Sequence, residues 1–559
     1  MVVATYAQRA LQQAAYNWKV YNGDQNSYLR LALRIRIGEG FANGNFHPLW
    51  PMLMSPLASR DWQFFTDAKL ANMVLGAAVV LMVFGLGRSL FGSGSALLAA
   101  ALLAFNPAYV ARAARTEPEV LLTGLFLAAW AVWIISVEKP RLAWLAWLAG
   151  GLAGLAYLTK GTGHFFVIGF LALPLVWHGR LIGFGQPPTH GWSPLRLPGR
   201  WYGRPLLIMV LAYLVAAAPL LWTNWRAFGA PFYAYPSAHA MWYDDWDDRL
   251  VAPGTEQATW RTYVATHSLS DAVGRMADGL VEVPPEWLSA FRVQLPPGAA
   301  WLWLGMLLAA FAWAGWRRIR AGPPSPPGPA CDPNQRAQRL SLALLASVLL
   351  LIPMYVFFSW YKPIANSSRF VLPLVPLFYL CAASAVWLAL LKMAPPQDRA
   401  GLGHWLAGFL VPLAVGAAAL LGLAEGSWTS PAHIAAVDRE NNAPSMALLD
   451  AVARNVPAGA TVVWGPGNLA TWTLHGQVSF RSVPATVTDL TGLAGYMRQV
   501  GARWIVLAPD MVLKRKAVFL PYFEGGKDNV TIVRLPPDWR LIFAEPEGGC
   551  RYCLLEVGP

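Results

Sequence analysis

Leu70–Leu90 reads LANMVLGAAVVLMVFGLGRSL, a run of 21 residues in which Arg88 is the single charged side chain. About 20 mostly apolar residues cross the hydrocarbon core of a bilayer as a helix. A helix satisfies its own backbone hydrogen bonds in lipid, and the run is too long and continuous for a barrel strand. The stretch therefore predicts a transmembrane helix and sets the fold class of the chain.

The same pattern recurs along the sequence. Ten segments are expected to cross the membrane: Leu70–Leu90, Gly94–Val110, Val120–Val137, Leu142–Leu158, Gly163–Trp177, Leu206–Trp222, Ala299–Ala314, Leu340–Phe358, Phe370–Leu391 and Trp405–Leu423. The predicted fold class is mainly α, a polytopic membrane helix bundle of about 10–11 transmembrane helices. A small C-terminal α/β domain on the outer face follows the bundle.

The composition agrees with a membrane protein. Of 559 residues, 56% are hydrophobic and 13% are charged, and 28 are Trp. A soluble domain usually carries about 25% charged residues, and Trp is favoured at membrane interfaces. The net charge of +13 does not indicate nucleic-acid binding, because the basic residues concentrate between the predicted spans.

Those basic residues predict the orientation. Alternate gaps between spans hold fourteen of them against three acidic ones (Glu138, Asp332 and Asp398): Arg88, Lys139, Arg141, Arg180, Arg196, Arg200, Arg204, Arg317, Arg318, Arg320, Arg336, Arg339, Lys392 and Arg399. The positive-inside rule places these gaps in the cytoplasm. We therefore predict a multi-pass protein of the cell (inner or plasma) membrane. Its active site and C-terminal domain face outward.

Three domains follow from this topology. Residues 1–69 form an outer first loop with a juxtamembrane helix and an acidic motif. Residues 70–425 form the transmembrane domain, with a long outer loop at 223–298, and residues 426–559 form the soluble domain. Met1–Tyr21 lacks the apolar core of a signal peptide. We therefore expect the natural protein to begin with a further apolar helix upstream, the alternative being unaided translocation.

The tail alternates helix and strand patterns. Pro444–Arg454 and Leu490–Val500 read as helices, and Thr461–Trp464 and Arg503–Leu507 read as strands. This alternation predicts an α/β layer domain, which we interpret as noncatalytic. Cys550 and Cys553 form one C-x-x-C without the second pair of a zinc site, so a structural disulfide or two free thiols is expected.

Charged residues in the short outward loops are candidates for a functional site. They are Arg112, Arg115, Glu117, Glu119, Lys160, Lys362 and Arg369. Charges at a membrane boundary often mark functional sites, and several cations on one face suit a bound phosphate. The alternative is that each is a snorkelling side chain that anchors a helix end.

Asp24 adds a carboxylate to the same outward face. It stands at the start of a helix pattern over residues 24–36, in which Tyr28, Leu31 and Ile35 form an apolar stripe. Such a helix is expected to lie along the membrane surface. Asp24 suits an N-cap and equally a catalytic base, and the two roles are compatible.

These segments together resemble the integral-membrane GT-C glycosyltransferases, especially the protein O-mannosyltransferase and aminoarabinose-transferase branch. The resemblance rests on Gly23-Asp24-Gln25 with Tyr28 and Phe46-His47-Pro48, on Asn106-Pro107 with Arg115-Thr116-Glu117-Pro118, on Gly154–Gly161, and on Arg369–Pro376. It covers roughly residues 15–425 and depends on the order and sidedness of the motifs. Several relatives have Asp-Glu where this chain has Asp24-Gln25, which leaves one carboxylate and weakens a metal site.

The resemblance implies an inverting transferase that moves a sugar from a polyprenyl-phosphate carrier to an acceptor hydroxyl of a protein, lipid or cell-surface glycan. Asp24, then Glu117, are the candidate catalytic bases. The candidate donor-phosphate ligands are Arg112, Arg115, Lys160, Lys362 and Arg369. Gln25, Tyr28 and His47 are expected to contact the sugar or the acceptor.

Other functions remain open at this point. A transporter or flippase of lipid-linked sugars would also place basic groups near headgroups, and an O-antigen-ligase-type transferase would share the donor chemistry. No metal site is assigned and no cofactor is expected. The four carboxylates of Asp244-Asp245-Trp246-Asp247-Asp248 leave a divalent cation possible. No nucleotide-binding glycine motif appears, so a nucleotide sugar is not favoured as donor.

Overall fold

The computed structural model describes residues 1–20, 23–177, 203–246, 248, 254–292, 333–393, 413, 416, 429–464, 470–484, 486–526, 529–545 and 551–558. The helices are α1 Val2–Tyr16, α2 Gln25–Arg36, α3 Leu49–Met54, α4 Gln63–Phe91, α5 Ser93–Ala104, α6 Pro107–Ala113, α7 Glu119–Glu138, α8 Leu145–Thr159, α9 Phe165–Trp177, α10 Gly203–Phe228, α11 Tyr235–Ala238, α12 Trp260–Thr266, α13 Leu269–Ser289, α14 Pro333–Tyr361, α15 Val375–Met393, α16 Pro431–Asn455, α17 Leu490–Gln499, α18 Pro509–Lys514 and α19 Lys516–Phe519. The strands are β1 Thr461–Trp464, β2 Ser479–Ser482, β3 Ala502–Leu507, β4 Phe523–Gly525, β5 Val530–Ile532, β6 Trp539–Glu545 and β7 Tyr552–Val557.

Five of the described helices are long and apolar enough to cross a membrane: Gln63–Phe91, Glu119–Glu138, Arg204–Phe228, Arg336–Tyr361 and Leu372–Ala389. Each coincides with a predicted span, so the mainly α membrane bundle is confirmed. Two further predicted spans are the shorter helices α8 and α9. The predicted spans at 299–314 and 405–423 lie outside the described residues, except for positions 413 and 416.

One predicted span, Gly94–Val110, is divided in the structure. Helices α5 and α6 meet at an angle of 65°. The side chain of Asn106 accepts a hydrogen bond from the Tyr109 N–H, and Pro107 occupies the first turn of α6. A capping Asn followed by Pro is a helix start signal, so a new helix begins inside the apolar run.

The described part of residues 1–62 contains three α-helices, α1 to α3, where one was predicted. In α1, Tyr6 Oη donates to the Met73 carbonyl of α4 at 3.1 Å, and Ala10 and Ala14 are fully buried in the bundle core. Helix α1 has Gln and Arg among small apolar residues, so its composition does not resemble that of a span. Its alanines nevertheless allow a close approach to α4.

The C-terminal domain has the predicted α/β character. Its five-stranded sheet has the order β2-β1-β3-β7-β6, with β1 parallel to β2 and β3. Strand β7 is antiparallel to both β3 and β6. Helix α16 carries Leu448, Leu449 and Val452 into a core that the sheet shares with helix α2. The domain therefore packs on the segment that holds the acidic motif.

The cysteines are partly described. Cys381 is a buried free thiol inside helix α15. Cys553 in β7 is disulfide-bonded, and Cys550 lies outside the described residues. This agrees with a structural role for the C-x-x-C segment.

Candidate active site

A cavity of about 600 Å³ opens at the end of the bundle where helix α2 begins. Its polar lining includes Asp24, Lys160 and Arg369, and most of the remaining wall is apolar or aromatic. Pockets that bind small ligands have this composition, with a few convergent polar groups on a largely apolar surface. The structure thus brings together three charged residues that lie far apart in the sequence.

Asp24 and Arg369 form an ion pair on the cavity wall. Arg369 Nη1 donates to Asp24 Oδ2 at 2.8 Å, and the Arg369 guanidinium carbon lies 5.2 Å from the centroid of the Phe370 ring. Although Asp24 occupies the N-cap position of α2, its side chain makes no capping hydrogen bond. Burial alone would lower the pKa of Arg369, but the carboxylates of Asp24, Glu119 and Glu117 raise it above its ordinary value. The guanidinium therefore stays charged.

Glu117, the second predicted base, contacts the backbone of Asp24 from outside the cavity lining. Its side chain is 0% exposed and accepts from Arg112 Nη1 at 2.7 Å, while Arg115 lies at 3.8 Å. Its Oε1 also accepts the backbone N–H of Asp24 at 3.2 Å. Glu117 does not line the cavity. The geometry fits a residue that holds the backbone of Asp24, with Arg112 and Arg115 as its counter-ions.

Gly23 is required by this arrangement. Its φ is +79°, in the left-handed region that favours glycine, and a Cβ there would collide with Glu117 Oε1. The glycine lets the chain approach Glu117 closely enough for the Asp24 N–H to donate.

Lys160 is held by Glu119, one of the charged outward-loop residues, to which the sequence assigned no specific role. Its Nζ lies 2.7 Å from Glu119 Oε1, and Glu119 is 1% exposed. Lys160 also lies 5.5 Å from the centroid of the Phe370 ring, beside Arg369. Glu119 follows Glu117 by two residues in the first turn of α7. That clustering of acids was the available signal in the sequence.

Two of the three residues expected to contact sugar or acceptor line the cavity. Tyr28 is buried against Phe46 and Trp50, and burial, with the nearby carboxylates, raises the pKa of its phenol. His47 packs edge-on against Tyr157, with ring centroids 5.0 Å apart. Burial lowers the pKa of His47 to about 4, so this imidazole is neutral at physiological pH.

The structure does not bring every predicted residue to the cavity. Gln25 is fully buried, and its amide oxygen accepts from the Thr116 N–H at 3.1 Å and from Asn17 Nδ2 at 3.0 Å. Lys362 lies 2.5 Å from Glu282 of helix α13 and is not part of the lining. Both residues have structural partners.

The acidic segment of the outer loop is also paired. Asp244 contacts His267 at 3.0 Å and Arg275 at 3.3 Å, and Asp247 lies outside the described residues. Among the described residues, no group of three or more His, Cys, Asp or Glu side chains has the arrangement of a metal site.

The aromatic part of the cavity wall was not predicted. It comes from the helices and the short turns that follow them, from the first outer loop and from the outer loop after α10. The residues are Phe46, Tyr157, His164, Phe165, Tyr213, Phe232, Tyr235, Trp246, Phe357, Phe358, Tyr361 and Phe370. Aromatic residues occur in every predicted span, so their presence alone did not distinguish those facing a ligand. Residues between Phe232 and Trp246 of the outer loop line the cavity as well.

Comparison with known proteins supports this fold. A family model described as dolichyl-phosphate-mannose-protein mannosyltransferase matches residues 65–187, which include Glu117, Glu119 and Lys160. ArnT from Cupriavidus metallidurans, in a crystal structure bound to undecaprenyl phosphate, is similar with a TM-score of 0.52 and 15% identity, covering 98% of each chain. No curated protein sequence matches the chain.

A second solved structure has the same architecture. The Archaeoglobus fulgidus oligosaccharyltransferase, tethered to an acceptor peptide with an NVT sequon, is similar with a TM-score of 0.50 and 14% identity. The similarity covers 99% of this chain and 73% of that one. The family match, the shared fold and the membrane-spanning helices confirm the resemblance of this chain to the integral-membrane GT-C glycosyltransferases.

Proposed function

We propose that this chain transfers a sugar from a polyprenyl-phosphate carrier to the hydroxyl of a protein, lipid or cell-surface glycan at the outer face of the membrane. The observation that carries the proposal is the meeting of Asp24, Arg369 and Lys160 on the wall of one aromatic-lined cavity. The ArnT structure binds undecaprenyl phosphate, which supports a lipid phosphate as the donor class here.

The charge balance of the site suits a phosphodiester. Four basic and three acidic side chains lie at or beside the cavity: Arg112, Arg115, Lys160, Arg369, Asp24, Glu117 and Glu119. The net charge of these side chains is therefore one positive charge, and the single negative charge of a polyprenyl-phosphate sugar neutralises it. Arg369 and Lys160 face the cavity and are therefore the ligands for the departing phosphate, where fixed cations stabilise the developing charge.

Asp24 has the geometry of the base. Of the described residues, Arg369 alone donates to its carboxylate, at Oδ2, so Oδ1 is available to accept a proton. Its side chain is 34% exposed, in contrast to the fully buried Glu117. The acceptor oxygen attacks the anomeric carbon, the bond to the phosphate oxygen breaks with its electron pair, and Asp24 takes the hydroxyl proton. A single displacement of this kind inverts the anomeric centre.

The reaction so described needs no metal. Each carboxylate beside the cavity is already paired with a basic side chain: Asp24 with Arg369, Glu117 with Arg112, and Glu119 with Lys160. Hard cations prefer clusters of oxygen ligands that are not neutralised in this way. We expect transfer to continue in excess EDTA, and loss of activity that added Mg²⁺ or Mn²⁺ restores would contradict this part.

Contacts at the two ends of the bundle support the proposed orientation in the membrane. Helix α4 begins beside the C-terminal domain, where Thr66 donates to Asp438 at 2.7 Å. At its other end, Arg339 donates to the Leu90 carbonyl and binds Glu138 at 2.8 Å, among the basic residues assigned to the cytoplasm. Single cysteines at Arg336 and Asp450 should therefore react with an impermeant thiol reagent from opposite sides. Labelling of both from one side would exclude this topology.

The experiment that tests the function uses the purified chain in lipid nanodiscs or vesicles, with radiolabelled polyprenyl-phosphate sugars and a membrane-extract acceptor. Labelled acceptor or released sugar supports the transferase. The bent pair α5–α6 is a feature that transporters share, so flipping of the same donor is measured in parallel. Flipping without turnover would reject the proposal in favour of a transporter.

A further inference from the structure

A segment of the C-terminal domain contacts the helix that begins at Asp24. Asn26, in the first turn of α2, donates from Nδ2 to Thr471 Oγ1 at 2.9 Å. Thr471 Oγ1 lies 3.3 Å from Asn26 Oδ1, so the two side chains exchange hydrogen bonds. Asn26 is 8% exposed, and a polar group buried to this degree needs its partner.

The residues around Thr471 anchor the same segment. Trp472 is fully buried, and its ring packs edge-on against Trp62, with centroids 5.4 Å apart. Three residues later, His475 Nε2 lies 2.7 Å from Glu39, which follows the end of α2, and Arg60 donates to the His475 carbonyl at 2.9 Å. Segment 470–478 thus contacts the chain near both ends of α2.

The first turn of α2 depends on such outside contacts. The Asp24 side chain does not cap the helix, so the three residues at its start are each held by a different part of the molecule. The Asp24 N–H donates to Glu117, the Gln25 amide bonds to Asn17 and Thr116, and Asn26 bonds to Thr471. Only the last of these contacts comes from the soluble domain.

We propose that Thr471 is a positioning residue for the transfer, through which the C-terminal domain fixes Asn26 and hence the carboxylate of Asp24. The inference rests on the proposed function, because it assumes that Asp24 is the base. It gives the C-terminal domain, which the sequence indicated to be noncatalytic, a part in positioning the base. Small displacements of a reacting group cost rate steeply, so the loss of one such contact affects turnover before it affects folding.

The test compares Thr471→Val, which removes the hydroxyl and keeps the shape, with Thr471→Ser, which keeps the hydroxyl. We expect kcat to fall roughly tenfold in Thr471→Val, on the scale of one lost hydrogen bond. The KM for the donor should stay within about twofold, because Lys160 and Arg369 do not contact Thr471. Thr471→Ser should restore kcat. Thr473→Val is the matched control, because the Thr473 hydroxyl bonds locally to the Ala470 carbonyl at 2.8 Å.

Hydrogen exchange of the α2 amides gives a readout that is independent of activity. Thr471→Val should speed exchange in the first turn of α2, and Thr473→Val should not. Unchanged kcat and unchanged exchange in Thr471→Val would overturn the proposal. Equal falls in kcat, donor affinity and Tm would also overturn it, because Thr471 would then only stabilise the fold. If Asp24→Asn remains active while Thr471→Val still loosens α2, the assignment of the base fails and the contact itself stands.

Discussion

Asp438→Asn should destabilise the protein strongly, because it leaves a buried lysine without its counter-ion. Lys69 Nζ lies 2.6 Å from Asp438 Oδ1, and the two side chains are 0% and 4% exposed. Breaking a buried ion pair by removing one partner costs about 3–5 kcal/mol. Lys69 would keep the Ala14 carbonyl at 3.1 Å and the Asn17 carbonyl at 3.4 Å. We therefore expect the lower end of that range, about 3 kcal/mol.

The assay is chemical or thermal unfolding in detergent, followed by the fluorescence of buried Trp residues. The double variant Lys69→Met with Asp438→Leu should recover most of the loss, because apolar replacement of a whole buried pair is often neutral. Asp450→Asn, at an exposed position of the same helix α16, is the control. A change below about 0.5 kcal/mol in Asp438→Asn would refute the view that this pair docks the C-terminal domain onto α4.

Two further outcomes follow from the first outer loop. Because the folded-state pKa of His47 is about 4, below the ordinary 6.5, the unfolded chain binds a proton more readily, and stability falls as pH drops from about 6.5 towards 4. Between pH 7 and pH 5, His47→Gln should therefore lose about 2 kcal/mol less of its free energy of unfolding than the unmodified protein. Unfolding at both pH values measures this difference. An unchanged pH dependence would show that His47 is not buried and neutral. Gly23→Ala should lower turnover at least tenfold by displacing Asp24 from Glu117, whereas Gly40→Ala, also at positive φ but in open space, should leave turnover unchanged. Equal turnover in the two variants would contradict the close approach at Gly23.

Much of the fold was predictable from the sequence, because the spans are apolar runs whose length is set by the bilayer. Asp24, Lys160 and Arg369 were also predictable as neighbours, since the alternation of spans places all three at one end of the bundle. Their partners were not. Whether Lys362 faces the cavity or Glu282 depends on the rotation and crossing of helices, which hydropathy does not encode.

Long-range docking was likewise beyond the sequence. Lys69 and Asp438 are separated by 369 residues, and each alone reads as an ordinary charge near a helix end. Thr471 and Asn26 are separated by 445 residues. Helix α1 was missed because small and polar residues, packed closely against α4, give no apolar run. The sequence also did not indicate how closely the core of the C-terminal domain joins the helix that carries Tyr28.

The most direct test of the account is the turnover of Asp24→Asn in the transfer assay, with donor binding measured on the same sample. The variant keeps the size of the side chain, and the structure shows no capping bond to lose. We expect kcat to fall roughly 100-fold or more, as for a lost general base. Donor binding should persist or tighten, because the site gains one net positive charge. Near-normal turnover of Asp24→Asn would contradict the central claim, most clearly if Glu117→Gln were inactive while still folded.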